Sequence, residues 1–180
     1  MINCKKMKFE IAVVVSILLT VTLVSVIYYY DTVIEQMDKD EYIKDNEMFT
    51  VYVRNQINIK QSLESAMNSQ EDRFQHISSA QDYNYTNLKL SKLMEIPAQT
   101  SSFHLLLNVH LVKLQDKIKN GEFSETDRLE INDLLAFFEE YLHSIDLPSE
   151  DDRHEIGDTL KKVEEDVLVP FLISEKNPLY

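Results

Sequence analysis

Glycine and proline are scarce here, with two Gly and four Pro in 180 residues. Tight hairpins and phosphate-cradling loops lean on glycine, because both need left-handed backbone or very close approach. Their scarcity weighs against a hairpin-rich sheet and a Gly-rich phosphate loop, and it suits long helices. The one cysteine, Cys4, lies in residues 1–10, read as a short cytoplasmic basic tail. No disulfide is therefore available, and the fold must rest on its apolar core. The Gly-x-Ser-x-Gly, Cys-x-x-Cys, His-Glu-x-x-His and phosphate-loop patterns are absent. No catalytic constellation appears, so the chain is read as a non-enzyme and no cofactor is expected.

What the sequence does contain is an uncharged run of twenty residues, Ile11 to Tyr30. As a helix it would be about 30 Å long, the thickness of a bilayer's hydrocarbon core. Lys5, Lys6 and Lys8 precede it, while Asp31, Glu35 and Asp38 follow. A span with its basic end first keeps that end in the cytoplasm. Charge divides the same way. Residues 1–30 carry three Lys and one Glu, while residues 31–180 carry 15 basic and 30 acidic groups, giving +2 and −15 within a total of −13. So acidic a segment is repelled by phosphate backbones, which argues against nucleic acid as a partner.

The apolar run ends Val26, Ile27, Tyr28, Tyr29, Tyr30, bulky throughout. A signal-peptide cleavage site needs small residues there. Ser25 is the only small one nearby and Leu23 sits two places before it, so the run is read as an uncleaved signal anchor. Cys4 stands at the wrong end for a lipoprotein. The three tyrosines suit the interfacial belt, with Phe9 as an inner counterpart. Ala12, Ser16 and Thr20 recur every fourth residue and form a strip of small side chains, a candidate surface for packing into a homodimer. The simpler reading is that this face meets lipid.

Lysines followed by Phe9, Glu10 and an apolar helix are similar to the start of type IV pilin-like subunits. The chain departs from that pattern: no Gly or Ala precedes Phe9, Glu10 follows it directly, and no β-rich head is evident.

Beyond the anchor, residues 31–48 read as a helical stalk and residues 49–180 as an acidic helical bundle. From Thr32 to about Gln81 neither Pro nor Gly occurs, and Phe49, Val53, Ile57, Ile59, Leu63, Ala66 and Met67 form a broken helical stripe. The polar stretch Ser78 to Thr86 suggests a turn, followed by a short helix from Thr86 to Glu95 that stops before Pro97. Asn84-Tyr85-Thr86 matches an N-glycosylation acceptor. Tyr83 and Tyr85, beside that turn, suggest either packing across helix ends or an exposed aromatic patch.

Ser101 or Ser102 would cap a helix with Phe103, Leu106, Leu107, His110, Leu111, Leu114 and Ile118 on one face, stopped by Asn120-Gly121. Ser124 to Asp127 reads as a capping box opening a helix with Ile131, Leu134, Leu135, Phe138, Leu142 and Ile145 inward. Leu147-Pro148 ends it. Ser149 would cap a last helix with Ile156, Leu160, Val163 and Val167 as its seam, closed by Pro170. Short connections force antiparallel neighbours, so the expected fold class is all-α: a transmembrane helix, then an antiparallel bundle of about four helices.

Five histidines raise the question of metal. His104 and His110, six apart, point about 120° away from each other on a helix and cannot share an ion. His143 and His154 flank the Leu147-Pro148 turn, with Asp146, Glu150 and Asp151 near enough to complete a shell. Helix-end preferences explain the same residues without metal, since His favours a C-terminus and acids an N-terminus. The runs Asp38–Glu41 and Glu164–Asp166 lack calcium-loop spacing and read as solvated faces.

The architecture resembles, in general form, the helical ligand-binding ectodomains of bacterial membrane receptors. Those have a second membrane pass and a cytoplasmic signalling domain, which this chain lacks. The expected function is a single-pass, membrane-anchored helical module that engages another protein outside the cytoplasm, as an accessory or assembly factor. The alternative is an extracytoplasmic sensor of a small ligand, ion or pH, acting through a partner membrane protein.

Overall fold

The computed structural model describes residues 4–94, 96–145 and 155–179, with side chains for these except 4–14, 42 and 155. The structure is all-α. Its elements are α1 (Cys4–Asn68), α2 (Arg73–Leu93), α3 (Ala98–Asn120), α4 (Glu125–His143), α5 (Glu155–Val163), a π turn (Glu164–Leu168) and α6 (Val169–Leu172). The chain divides into two units, Met1–Lys44 and Asp45–Tyr180.

Among its described residues the first unit is the N-terminal part of α1. From Val15 onward α1 contains a window long and apolar enough to cross a membrane, and none of that window is buried against the chain. Leu18, Leu19, Leu23 and Val24 lie on different faces, yet all are exposed. A helix apolar on every side has no favourable surface to turn toward water. The hydroxyls within the run are satisfied locally. Thr20 donates to Ser16 O, Thr22 to Leu18 O and Ser25 to Val21 O, each at 2.9 Å.

In the second unit, the C-terminal part of α1 joins α2 to α6 in a bundle. Arg73, at the start of α2, donates Nε to Ala66 O near the end of α1 and sits 4.4 Å over the Phe123 ring. Far along the same helix, Ser91 Oγ lies 2.9 Å from Ser101 Oγ, just inside α3. The chain thus doubles back at these two connections. The main core joins Ile59 and Leu63 of α1, Ile77 of α2, Phe103 and Leu107 of α3, and Phe138 of α4. Each side chain of this size contributes about 2 kcal/mol through loss of contact with water. A smaller cluster of Phe49, Tyr52, Ile96 and Leu160 closes one end.

Several expected punctuation marks are in place. Gly121 ends α3 at φ 72°, the left-handed region, and Glu122 N–H bonds back to Lys117 O at 2.8 Å. Ser124 and Asp127 form the reciprocal capping box of α4. Lys117 pairs with the buried Asp127 carboxylate. Burial alone would raise that carboxyl, but Lys117 and Ser124 hold it below the usual range.

Other expectations fail, for identifiable reasons. The stretch free of Gly and Pro is not one helix: α1 stops at Asn68, just after the expected stripe, where the Ser69 hydroxyl accepts from Asp72 N–H and closes a turn. The turn expected over Ser78 to Thr86 is helical instead, inside α2. Its polarity misled because Asn84, Asn87 and Ser91 point inward, not to solvent. Ser101 and Ser102 do not cap α3, which begins at Ala98. Its first turn is capped from elsewhere by Glu164, whose Oε2 accepts from Thr100 N–H at 2.9 Å and Thr100 Oγ1 at 2.8 Å. Nor does Pro170 end the last helix. Its ring cannot follow a regular α turn, and the wide π turn lies directly ahead of it, with Val169 N–H bonding to Glu164 O. The expected Leu147-Pro148 turn and Ser149 cap fall outside the described residues.

Candidate functional site

Where the bundle should be driest, it is polar. Tyr52 and Gln56 lie one turn apart on α1, Asn84 on α2, His104 on α3 and Tyr141 on α4, and all five are buried. Their hydrogen bonds can be assigned from donor and acceptor chemistry alone. Asn84 Oδ1 lies 2.7 Å from His104 Nδ1 and can only accept, so Nδ1 carries the proton. His104 Nε2 is then an acceptor, and the Tyr52 hydroxyl donates to it at 2.9 Å. The Tyr52 oxygen in turn accepts from Gln56 Nε2 at 2.9 Å and from Tyr141 Oη at 3.1 Å. Asn84 Nδ2 donates to His104 O at 2.8 Å, gripping the same residue by ring and backbone. One level away, Asn55 Nδ2 donates to Asn87 Oδ1, and Asn87 Nδ2 donates to Tyr52 O.

Burial sets the charge state of this layer. It pushes His104 down to about 3, because imidazolium would be stranded away from water. Burial likewise raises the Tyr52 hydroxyl well above its usual value and Tyr141 up to about 12. The layer is neutral throughout the physiological range. Gln56 Oε1 is buried with no partner among the described residues.

A second buried histidine, His110, lies lower on α3. Burial, with Lys113 and Lys117 nearby, pushes it down to about 4. Its Nε2 makes no hydrogen bond and stands 3.8 Å from Glu130 Oε2, whose carboxyl is raised by burial.

Among the clefts on the surface of the second unit, two lie beside α4. One, of about 300 Å³, lies between α4 and the π turn with α6, and is lined by Asp133, Phe137, Glu140, Phe171 and Lys176 among others. The other, of about 180 Å³, is lined by His143, Ser144, Lys162, Val163 and Asp166. His143 is thus an exposed wall residue at the end of α4. Its expected companions Asp146, Asp151 and His154 fall outside the described residues, and among the described residues no three His, Cys, Asp or Glu side chains converge as metal ligands.

The remaining sequence candidates are placed as follows. Tyr28, Tyr29 and Tyr30 are exposed, the last two edge to face at 6.2 Å. Ser16 and Thr20 are exposed along α1. Lys5, Lys6, Lys8 and Ala12 lie on α1, with no side chains described. Asn84, the glycosylation candidate, is wholly buried with its amide committed to His104, so the folded chain does not offer that acceptor. Tyr83 and Tyr85 sit in mid-helix rather than at a helix end, and both are exposed, with Lys89 Nζ 4.3 Å above the Tyr85 ring.

The sequence hides the polar layer, because Tyr52 and Gln56 share a stretch with apolar residues and the polarity around Asn84 suggests a turn. One signal was available: Asn84, Asn87 and Ser91 recur at spacings of three and four, a polar stripe with helical period. Comparison of the chain with protein-family models, curated proteins and solved structures finds no match.

Proposed function

We propose that this chain is a single-pass membrane protein with its amino terminus in the cytoplasm and residues 31–180 outside it. The helical unit engages another protein as an accessory or assembly factor. The observation that carries the placement is the uncharged run Ile11–Tyr30, helical, unburied from Val15 onward, and flanked by Lys on one side and Asp and Glu on the other. The partner reading is supported by α3, where Leu105, Val109 and Val112 form an apolar stripe 55%, 45% and 38% exposed. Apolar side chains repeated along one outer helix face are what a partner helix would cover.

Two experiments test this reading. With tags at both ends, protease added to intact cells should remove the carboxy-terminal tag and spare the amino-terminal one. A protected carboxy-terminal tag, or a mature chain beginning beyond Tyr30, overturns the topology. Affinity capture from membranes should return a stoichiometric partner, and aspartate substitution at Val109 should release it.

A second reading, a sensor of a small ligand acting through a partner membrane protein, is favoured by the cleft beside the π turn. π turns recur at functional sites, where the local widening re-aims side chains. A small molecule that raises the melting temperature of the chain would support it.

A further inference from the structure

We propose that the cleft between α4 and the π turn binds linear aliphatic diamines and polyamines. Asp133 and Glu140, seven residues apart on α4, both line it. Seven residues are two helical turns, so the two carboxylates share a face about 10 Å apart along the axis. Phe137 lies midway between them and also lines the cleft. Its ring stacks on Phe171 of α6, with centroids 4.3 Å apart and planes inclined by 28°. Phe137 is itself buried, so the apolar wall offered to a ligand is the half-buried Phe171 with the exposed Ala136 and Pro170, between an acidic residue at each end. A chain of methylenes would lie along this wall while each terminal ammonium reached a carboxylate.

The ion pairs among the described residues are Lys60–Glu64, Lys60–Glu139, Lys117–Asp127 and Arg128–Glu125. Neither Asp133 nor Glu140 takes part in them. Lys176, an exposed residue, lines the same cleft and would compete with a bound ammonium for the two carboxylates. Two carboxylates against one ammonium leave the lining net negative. The excess of acidic groups over residues 31–180 would concentrate cations there. A volume of about 300 Å³ suits a small, slender ligand. This inference supplies a ligand class to the sensor reading, although binding itself needs only the helical unit.

The test is calorimetric titration of the full chain in detergent micelles with α,ω-diamines of three to ten carbons, and with heptylamine. Affinity should peak at seven or eight carbons, whose extended length matches the carboxylate spacing, and fall for the three-carbon diamine and the monoamine. Asp133→Asn and Glu140→Gln should each weaken the best diamine about three- to five-fold, the scale of one exposed ion pair, and flatten the length profile. Lys176→Gln should tighten it by a similar factor. No binding, or binding indifferent to length and to both carboxylate variants, overturns the proposal. A melting-temperature rise with some other small molecule and none with amines overturns the amine site while sparing the sensor reading. The expected length profile with no change in the captured partner upholds the site and removes the sensor reading.

Discussion

Lowering the pH from 7.5 to 5.0 should destabilise the helical unit by about 4 kcal/mol, and two histidines set that figure. His104 is held at about 3 and His110 at about 4 in the folded chain, whereas both would titrate near 6.5 when unfolded. Folded values below unfolded ones mean that the stabilisation is complete above pH 6.5. It is lost as the pH falls toward the folded values, because only the unfolded chain takes up the protons. At pH 5.0 the unfolded chain carries nearly one proton on each histidine and the folded chain almost none, which costs about 2 kcal/mol per residue. Asp127, held below the usual carboxylate range, adds its own loss only at lower pH. Urea unfolding of the full chain in detergent micelles, followed by tyrosine near-ultraviolet circular dichroism, measures the effect directly. With an m-value near 2 kcal/mol/M, the midpoint should move down by about 2 M. His110→Gln should remove about half of that movement. A midpoint unchanged between the two pH values would refute the claim that these histidines are buried and neutral.

Three further outcomes are expected. Tyr52→Phe removes the hydroxyl that joins His104, Gln56 and Tyr141, and should cost about 2–3 kcal/mol in denaturant unfolding because buried partners are left unpaired; a loss below about 0.5 kcal/mol would mean that water replaces the hydroxyl. Ser124→Ala breaks the capping box of α4 and should lower stability by about 1 kcal/mol, read as a fall in melting temperature, with Ser124→Gly less harmful. Ser16→Leu should leave self-association in a membrane reporter unchanged, since the small strip is read as lipid-facing; a loss of signal would assign it to a helix pair.

The helical class was legible in the sequence because it depends on periodicity and on punctuation with one chemical meaning. Gly121 at positive φ and the Ser124–Asp127 box are local devices, and both lie where the residues place them. The inward faces of α3 and α4 followed from apolar spacing, except that Phe137 and Tyr141 join the buried side of α4. What could not be read was tertiary. The break at Ser69 carries neither Pro nor Gly, and the cap of α3 comes from Glu164, more than sixty residues on. Polarity also misled in α2, because a buried asparagine and a solvated one look the same in sequence. The site followed this division: His143 was placed at a helix end by its neighbours, whereas the pairing of Phe137 with Phe171 exists only once the chain has folded.

The tyrosine–histidine layer also restricts how the bundle can be deformed. Aliphatic seams tolerate a slip of one turn, because one methyl-lined hollow resembles the next. Here a slip of α1 by about 5.4 Å would carry the Tyr52 hydroxyl away from both His104 and Tyr141. Each polar group stranded in the interior costs about 1–3 kcal/mol, so the wrong register is heavily disfavoured. A push along the axis of this helix therefore meets a latch, while a tilt pivoting near the layer leaves it closed.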